Sequence, residues 1–127
     1  MEETALILGK REIQKQQVRE RILEEALTLF SEQGFEKTTV SDIVAQCDIA
    51  RGTFYNYFPD TSALFDALIE QLNAQVVEAI QQTRKKTNNL YDYLYGTFKS
   101  YFELIGSEQM IQFHIVNQAY IRQSSYQ

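Results

Sequence analysis

TVSDIVAQCDIARGTFYNYFP, residues Thr39–Pro59, is the stretch on which the reading of this chain turns. Thr39 and Asp42 form a Thr-x-x-Asp capping box, the signature of a helix start. Val40, Ile43 and Val44 give that helix a buried face, and it ends near Cys47. Asp48 falls in a tight turn, where aspartate tolerates positive φ better than most residues. A second helix is expected over Ala50–Phe58, with Phe54 and Phe58 turned to the core. Pro59 stops it, because proline lacks the amide hydrogen that a helix interior needs. Two short helices joined by a tight turn, the second polar on one side, form a helix-turn-helix.

The outward face of the second helix carries the chemistry. A helix fits the DNA major groove, where base edges differ in donor and acceptor pattern. Arg51 has the fork geometry that suits guanine, and Asn56 suits adenine. Thr53 can meet a base or a thymine methyl. Tyr55 and Tyr57 carry hydroxyls that reach phosphate oxygens, and Gly52 permits close backbone approach. A plain helical bundle would satisfy the apolar spacing alone; this polar group favours DNA.

The flanking sequence is helical on both sides. Val18, Ile22, Leu23, Ala26, Leu27 and Phe30 form one apolar stripe, predicting a first helix over Gln16–Gln33, closed by Gly34 in a left-handed cap. A long helix follows from Thr61 or Ser62 to Arg84-Lys85-Lys86, whose charges complement the negative helix end. Asn89 then caps a helix over Leu90–Ile105, stopped by Gly106, and Ser107 caps a sixth that carries Met110, Ile111, Phe113, Ile115 and Val116. Residues 123–127 give no core signal. The expected fold is all-α: a three-helix, homeodomain-like helix-turn-helix headpiece, a long linking helix and a partial helical bundle. The expected division is residues 1–60, with an N-terminal arm, and residues 61–127.

Composition narrows the function. The 127-residue chain has a net charge of −5 and 44% hydrophobic residues, so attraction to DNA must come from a local basic surface. Lys10, Arg11, Lys15, Arg19 and Arg21 supply one. The apolar run Ala5–Leu8 is too short for a membrane span and lacks a preceding basic residue, so neither a membrane anchor nor a secretory leader is expected. The single cysteine, Cys47, cannot form an internal disulfide, which suits the cytoplasm. No cysteine–histidine cluster predicts a metal. No phosphate loop, nucleophile motif or carboxylate–histidine set predicts an enzyme or a cofactor.

The run Glu25-Ala26 through Phe30, Gly34-Phe35, Thr38-Thr39-Val40, Asp42-Ile43, Ile49–Phe58 and Leu64 resembles the headpiece of TetR-family transcriptional regulators. The resemblance implies an all-helical homodimer that binds a palindromic double-stranded DNA operator, most often a repressor released by a small-molecule effector. It implies base contacts from Arg51, Gly52 and Thr53, backbone contacts from Tyr55 and Tyr57, and a phosphate at Thr39 on a helix N-terminus. Three positions depart from the family pattern. Asp48 stands at the turn glycine, Ala50 at a serine cap, and Thr61 at a lysine that would meet phosphate. A greater reliance on Lys10, Arg11 and Lys15 follows. The implied family body is longer and dimerises through two late helices, so residues 61–127 are expected to be incomplete. The competing reading is a helical protein-interaction module that keeps this shape without binding DNA.

The fifth helix is rich in aromatics. Tyr91, Tyr95, Phe98 and Phe102 share a face, which suits either core or a ligand wall. With Phe113 and His114 they mark the expected site of an aromatic or lipophilic effector.

Overall fold

The computed structural model describes the backbone of residues 2–125 and the side chains of residues 9–123. The described residues form seven helices: α1 (Glu2–Gln33), α2 (Val40–Cys47), α3 (Arg51–Tyr55), α4 (Thr61–Lys86), α5 (Leu90–Ile105), α6 (Glu108–Val116) and α7 (Gln118–Ser125). None of them is long and apolar enough to cross a membrane.

Helix boundaries follow local chemistry. The Thr39 hydroxyl accepts from the Asp42 amide while the Asp42 carboxylate accepts from the Thr39 amide, completing the expected box. Asp60, Asn89 and Ser107 cap α4, α5 and α6 through side-chain oxygens. Asp48 adopts the left-handed conformation at φ 55°. Gly34 does so at φ 85°, and a Cβ there would also crowd Val116 on α6. Its hydrogen is thus required twice, by conformation and by close approach.

Two expectations are corrected. The residues ahead of Gln16 continue α1 back to Glu2 rather than forming a separate arm. They contain no proline and consist largely of good helix formers, so nothing stops the helix. The side chains of Ala5–Leu8 lie outside the described residues. The helix expected over Ala50–Phe58 ends at Tyr55, and hydrogen-bonded turns carry the chain on to Phe58. Helix α7 packs Tyr120 and Ile121 against the core.

The core runs without interruption from the N-terminal helices into the rest of the chain. Ile22, Leu23, Ala26 and Phe30 of α1 meet Ile43, Cys47, Phe54 and Phe58, and on the other side Leu64, Phe65, Leu68 and Phe113. Phe30, Phe35, Phe65, Phe113 and Tyr120 form a connected aromatic cluster, with Phe35 stacked on Tyr120 at 4.1 Å and Phe65 on Phe113 at 5.6 Å. Aromatic contacts of this kind add about 0.5–1.5 kcal/mol each beyond the area they bury.

One polar side chain is sealed into this region. Asn117, between α6 and α7, is 3% exposed. Its oxygen accepts from the Phe35 amide at 2.9 Å. Its amide nitrogen donates to the carbonyls of Phe30 and Phe113, each at 2.9 Å. The side chain thereby satisfies the end of α1, the turn after it and the end of α6 together.

Replacing Asn117 with alanine strands the part-buried Phe35 N–H, while the Phe30 and Phe113 carbonyls keep the backbone amides of Gly34 and residue 117. The expected loss is about 1–3 kcal/mol of unfolding free energy, measured by urea denaturation. A loss no greater than that of an ordinary surface substitution would show that the amide is not a structural link.

Candidate nucleic-acid interface

Helices α2 and α3 present the polar group predicted from sequence. Arg51 and Gly52 are exposed, Thr53 is half-buried, and Tyr55 is 50% exposed beside the buried Phe54 ring. Asn56 is exposed at the C-terminal end of α3, and Tyr57 is half-buried against the core. Ala50 precedes α3 with no side-chain cap. The helix is held instead by Phe54, fully buried, and by the amides of Asn56, Tyr57 and Phe58 turning back onto carbonyls of residues 52–54.

The structure adds two residues to this surface. The Arg51 guanidinium donates to the Ser41 hydroxyl on α2. Ser41 therefore aims Arg51, a pairing across ten residues that no local motif announces. Arg19 lies over the Phe58 ring, 5.4 Å from its centroid. In sequence Arg19 is one more cation of the basic stripe; in the fold it joins that stripe to the end of the α3 segment. Such a contact contributes about 0.5–1 kcal/mol at an exposed site.

Arg11, Lys15 and Arg19 recur every four residues, which places them along one face of α1. Lys10, Arg11 and Lys15 are exposed. Lys15 lies 3.8 Å from Glu12, a solvent-facing pair that holds it only weakly. The chain's negative total charge thus coexists with a basic strip leading toward α3.

At the start of α2, Thr39 is exposed and Asp42 sits one turn on. Gln33 donates to both Thr38 and Asp42, tying this end to α1. The Thr39 amide, then the Thr39 hydroxyl, holds the Asp42 carboxyl below its ordinary value of 3.8. Cys47 is buried under α1, and desolvation, with Glu25 adding to it, pushes its thiol up. That thiol is a packing group and not a nucleophile.

The expected effector wall is not a wall. Tyr91, Tyr95, Phe98 and Phe102 are 76%, 62%, 57% and 61% exposed. Phe113 is fully buried in the aromatic cluster. Only His114 of that group borders a cavity. This cavity, about 540 Å³, opens between α1, α4, α5 and α6. Leu27, Leu68, Leu72, Val76, Leu104 and Met110 supply much of its apolar lining. Glu20, accepting from Gln71 at 3.3 Å, and His114, whose Nδ1 meets the Met110 carbonyl at 2.8 Å, supply polar points. Ring size alone does not set inward orientation in this helix. Helix α5 instead turns small residues inward: a Cβ on Gly96 would clash with Thr83 of α4.

Comparison with known proteins follows the same outline. Residues 22–68 match the profile of bacterial regulatory proteins of the tetR family. An uncharacterized HTH-type transcriptional regulator of Bacillus subtilis, YvdT, is 40% identical over 62 residues, 49% of this chain and 32% of that protein. The negative transcriptional regulator of the icaADBC biofilm operon in Staphylococcus aureus, IcaR, is 27% identical over 78 residues, 61% of this chain and 42% of that protein. A crystal structure of a TetR-family transcriptional regulator from Syntrophomonas wolfei superposes with a TM-score of 0.69 at 29% identity, covering 78% of this chain and 52% of that one. The chain thus spans about half the length of that structure, and less of the two curated relatives.

The lowered Asp42 carboxyl gives a pH signature. Its folded value lies below the unfolded one, so its contribution is present above the ordinary carboxylate range. It is lost as pH falls from 3.8 through the folded value. Thermal melts of the wild type and Asp42→Asn should differ at neutral pH and converge in acid. A gap that stays constant into acid would refute the capping-box account.

Proposed function

We propose that this chain is a member of the TetR family through its headpiece, and that it is a DNA-binding transcriptional regulator acting as a repressor on a palindromic operator. The observation that carries the reading is Gly52. A glycine inside a helix costs about 0.5–1 kcal/mol relative to alanine. Nothing in the chain requires it: a Cβ at Gly52 meets no atom within 4 Å. The open space in front of it, flanked by Arg51, Thr53 and Tyr55, fits the close approach of a DNA backbone and groove edge. Thr39, Asn56 and Tyr57 extend the surface, and Lys10, Arg11, Lys15 and Arg19 supply the phosphate charge that Thr61 does not. In this reading residues 1–60 form the DNA-binding unit, working in the cytoplasm as a homodimer. Residues 61–127 belong to the effector-binding and dimerisation unit.

The effector site in this proposal is the cavity, not the aromatic stripe. Its floor includes Glu20, Leu23 and Leu27, residues of the same helix whose Arg19 rests on Phe58. A lipophilic molecule entering there would shift α1 against α4 and α6 and so move the DNA surface. IcaR, by name a negative regulator, supports the sign of control.

Selection of bound sequences from a random DNA pool tests the function. A palindrome should emerge, and Gly52→Ala should weaken binding to it while leaving the fold equally or more stable. Arg51→Ala should cost about 1–3 kcal/mol and relax one base position. A headpiece that serves only as a protein-docking module would enrich no sequence. For the cavity, the neutral lipophilic dye N-phenylnaphthylamine should bind the wild type and the Phe98→Ala/Phe102→Ala double variant alike. Leu72→Phe with Met110→Phe should lose it. Dye binding that followed the aromatic stripe instead would return the site to α5.

A further inference from the structure

Arg51 is the cation at the head of the α3 surface, and nothing within α3 fixes its direction. It is the first residue of that helix, and Ala50 before it offers no side-chain cap. No carboxylate pairs with it among the described residues. An unheld guanidinium beside DNA turns to the nearest phosphate, where it adds affinity without reading sequence. One contact restrains this one: Nη2 of Arg51 donates to the Ser41 hydroxyl, ten residues back on α2.

The identity of the donor atom has a consequence. A guanidinium has two edges that make two-point contacts, Nε with Nη2 and Nη1 with Nη2. Nη2 belongs to both. Its bond to Ser41 uses one of its two hydrogens, which closes one edge and leaves the other open. The open edge keeps two parallel N–H donors, the pattern that meets O6 and N7 of a guanine in the major groove. Adenine offers an acceptor at N7 but a donor at N6, so it takes one of those bonds and opposes the other. Ser41 thus limits the turning of Arg51 and selects the edge it presents.

Helix α2 is firm enough to carry such a tether. Its start is fixed by the Thr39–Asp42 box and by Gln33 of α1, which donates to both Thr38 and Asp42. Its inner face is anchored by Ile43 and Cys47, both closed to solvent. Ser41 is exposed beside this frame, and the capping bonds of α2 belong to Thr39 and Asp42 rather than to it. The Ser41 hydroxyl is therefore available to Arg51 without being needed by its own helix.

We propose, on the DNA-binding reading, that Ser41 is a positioning residue that determines base specificity: by holding Arg51 at Nη2 it commits the remaining guanidinium edge to a guanine at one operator position.

Selection from a random DNA pool, repeated with Ser41→Ala, tests it, each enriched site being titrated against its guanine-to-adenine variant. One guanine should depend on Arg51 and be lost in Arg51→Ala. At that position Ser41→Ala should lower the preference for guanine over adenine about ten-fold, a large part of what a two-point base contact supplies. Affinity for unrelated DNA and its salt dependence should stay as in the wild type, because Arg51 keeps its charge. The melting temperature should not fall, because α2 keeps its caps. Ser41→Thr, which restores a hydroxyl, should recover the preference. In the Arg51→Ala background, Ser41→Ala should change nothing further. Without DNA, ¹⁵N relaxation should show the Arg51 Nε–H more mobile in Ser41→Ala than in the wild type. Equal mobility, or an unchanged guanine preference in Ser41→Ala, overturns the proposal and leaves the DNA function standing. So does an equal loss on every sequence, the mark of a phosphate contact or a purely structural role, or a Ser41→Ala effect that persists without Arg51. A wild type that enriches no sequence overturns the DNA function, and the role of Ser41 with it.

Discussion

The Asn117 side chain is the constraint on which the remaining geometry depends. An amide sealed among phenyl rings is costly unless every hydrogen-bonding group on it is used. Asn117 meets that condition by joining three backbone segments distant in sequence: the end of α1 at Phe30, the following turn at Phe35, and the end of α6 at Phe113. Hydrophobic burial would hold these elements near one another in many arrangements. The directional bonds select one. The aromatic cluster then packs around a junction already fixed in register, with Phe35 stacked on Tyr120 and Tyr120 bonded in turn to Ser62 at the start of α4.

That junction explains why α1 serves two masters. Its inner face is shared between α2 with α3 and α4 with α6, so one continuous core joins the two halves. The same helix carries basic residues along one edge and lines the cavity along another. A displacement of α1 at the cavity therefore reaches the Arg19–Phe58 contact without an intermediary. This is a mechanical route through one rigid element. It needs no chain of small side-chain movements.

The sequence was most legible where local chemistry decides structure. The Thr39–Asp42 box, the Asp48 turn, the Gly34 cap, and the Asn89 and Ser107 caps each depend on residues within four positions, and each stands where it was read. The start of α1 was misplaced because apolar periodicity marks only the buried part of a helix, and the outer turns bury little. Ser41 and Asn117 escaped notice for another reason. Their partners lie ten and more than eighty residues away, at Arg51 and Phe30. A polar side chain that organises distant backbone looks, in sequence, like any other surface residue.

The aromatic stripe of α5 shows the limit of reading residue type as burial. Large rings are most often inside because burying them is favourable, but a helix has two sides on which rings can be buried. What decides the side is the neighbour. Thr83 approaches α5 so closely that only Gly96 fits opposite it, and a ring on that face would force α4 and α5 apart. Once the small residues are committed to α4, the rings at 91, 95, 98 and 102 must face outward. They are thereby separated from the cavity, which another edge of α5 helps to close with Leu104 and Ile105. A single helix of 16 residues therefore carries two distinct instructions: close approach to α4 and a lining for the cavity.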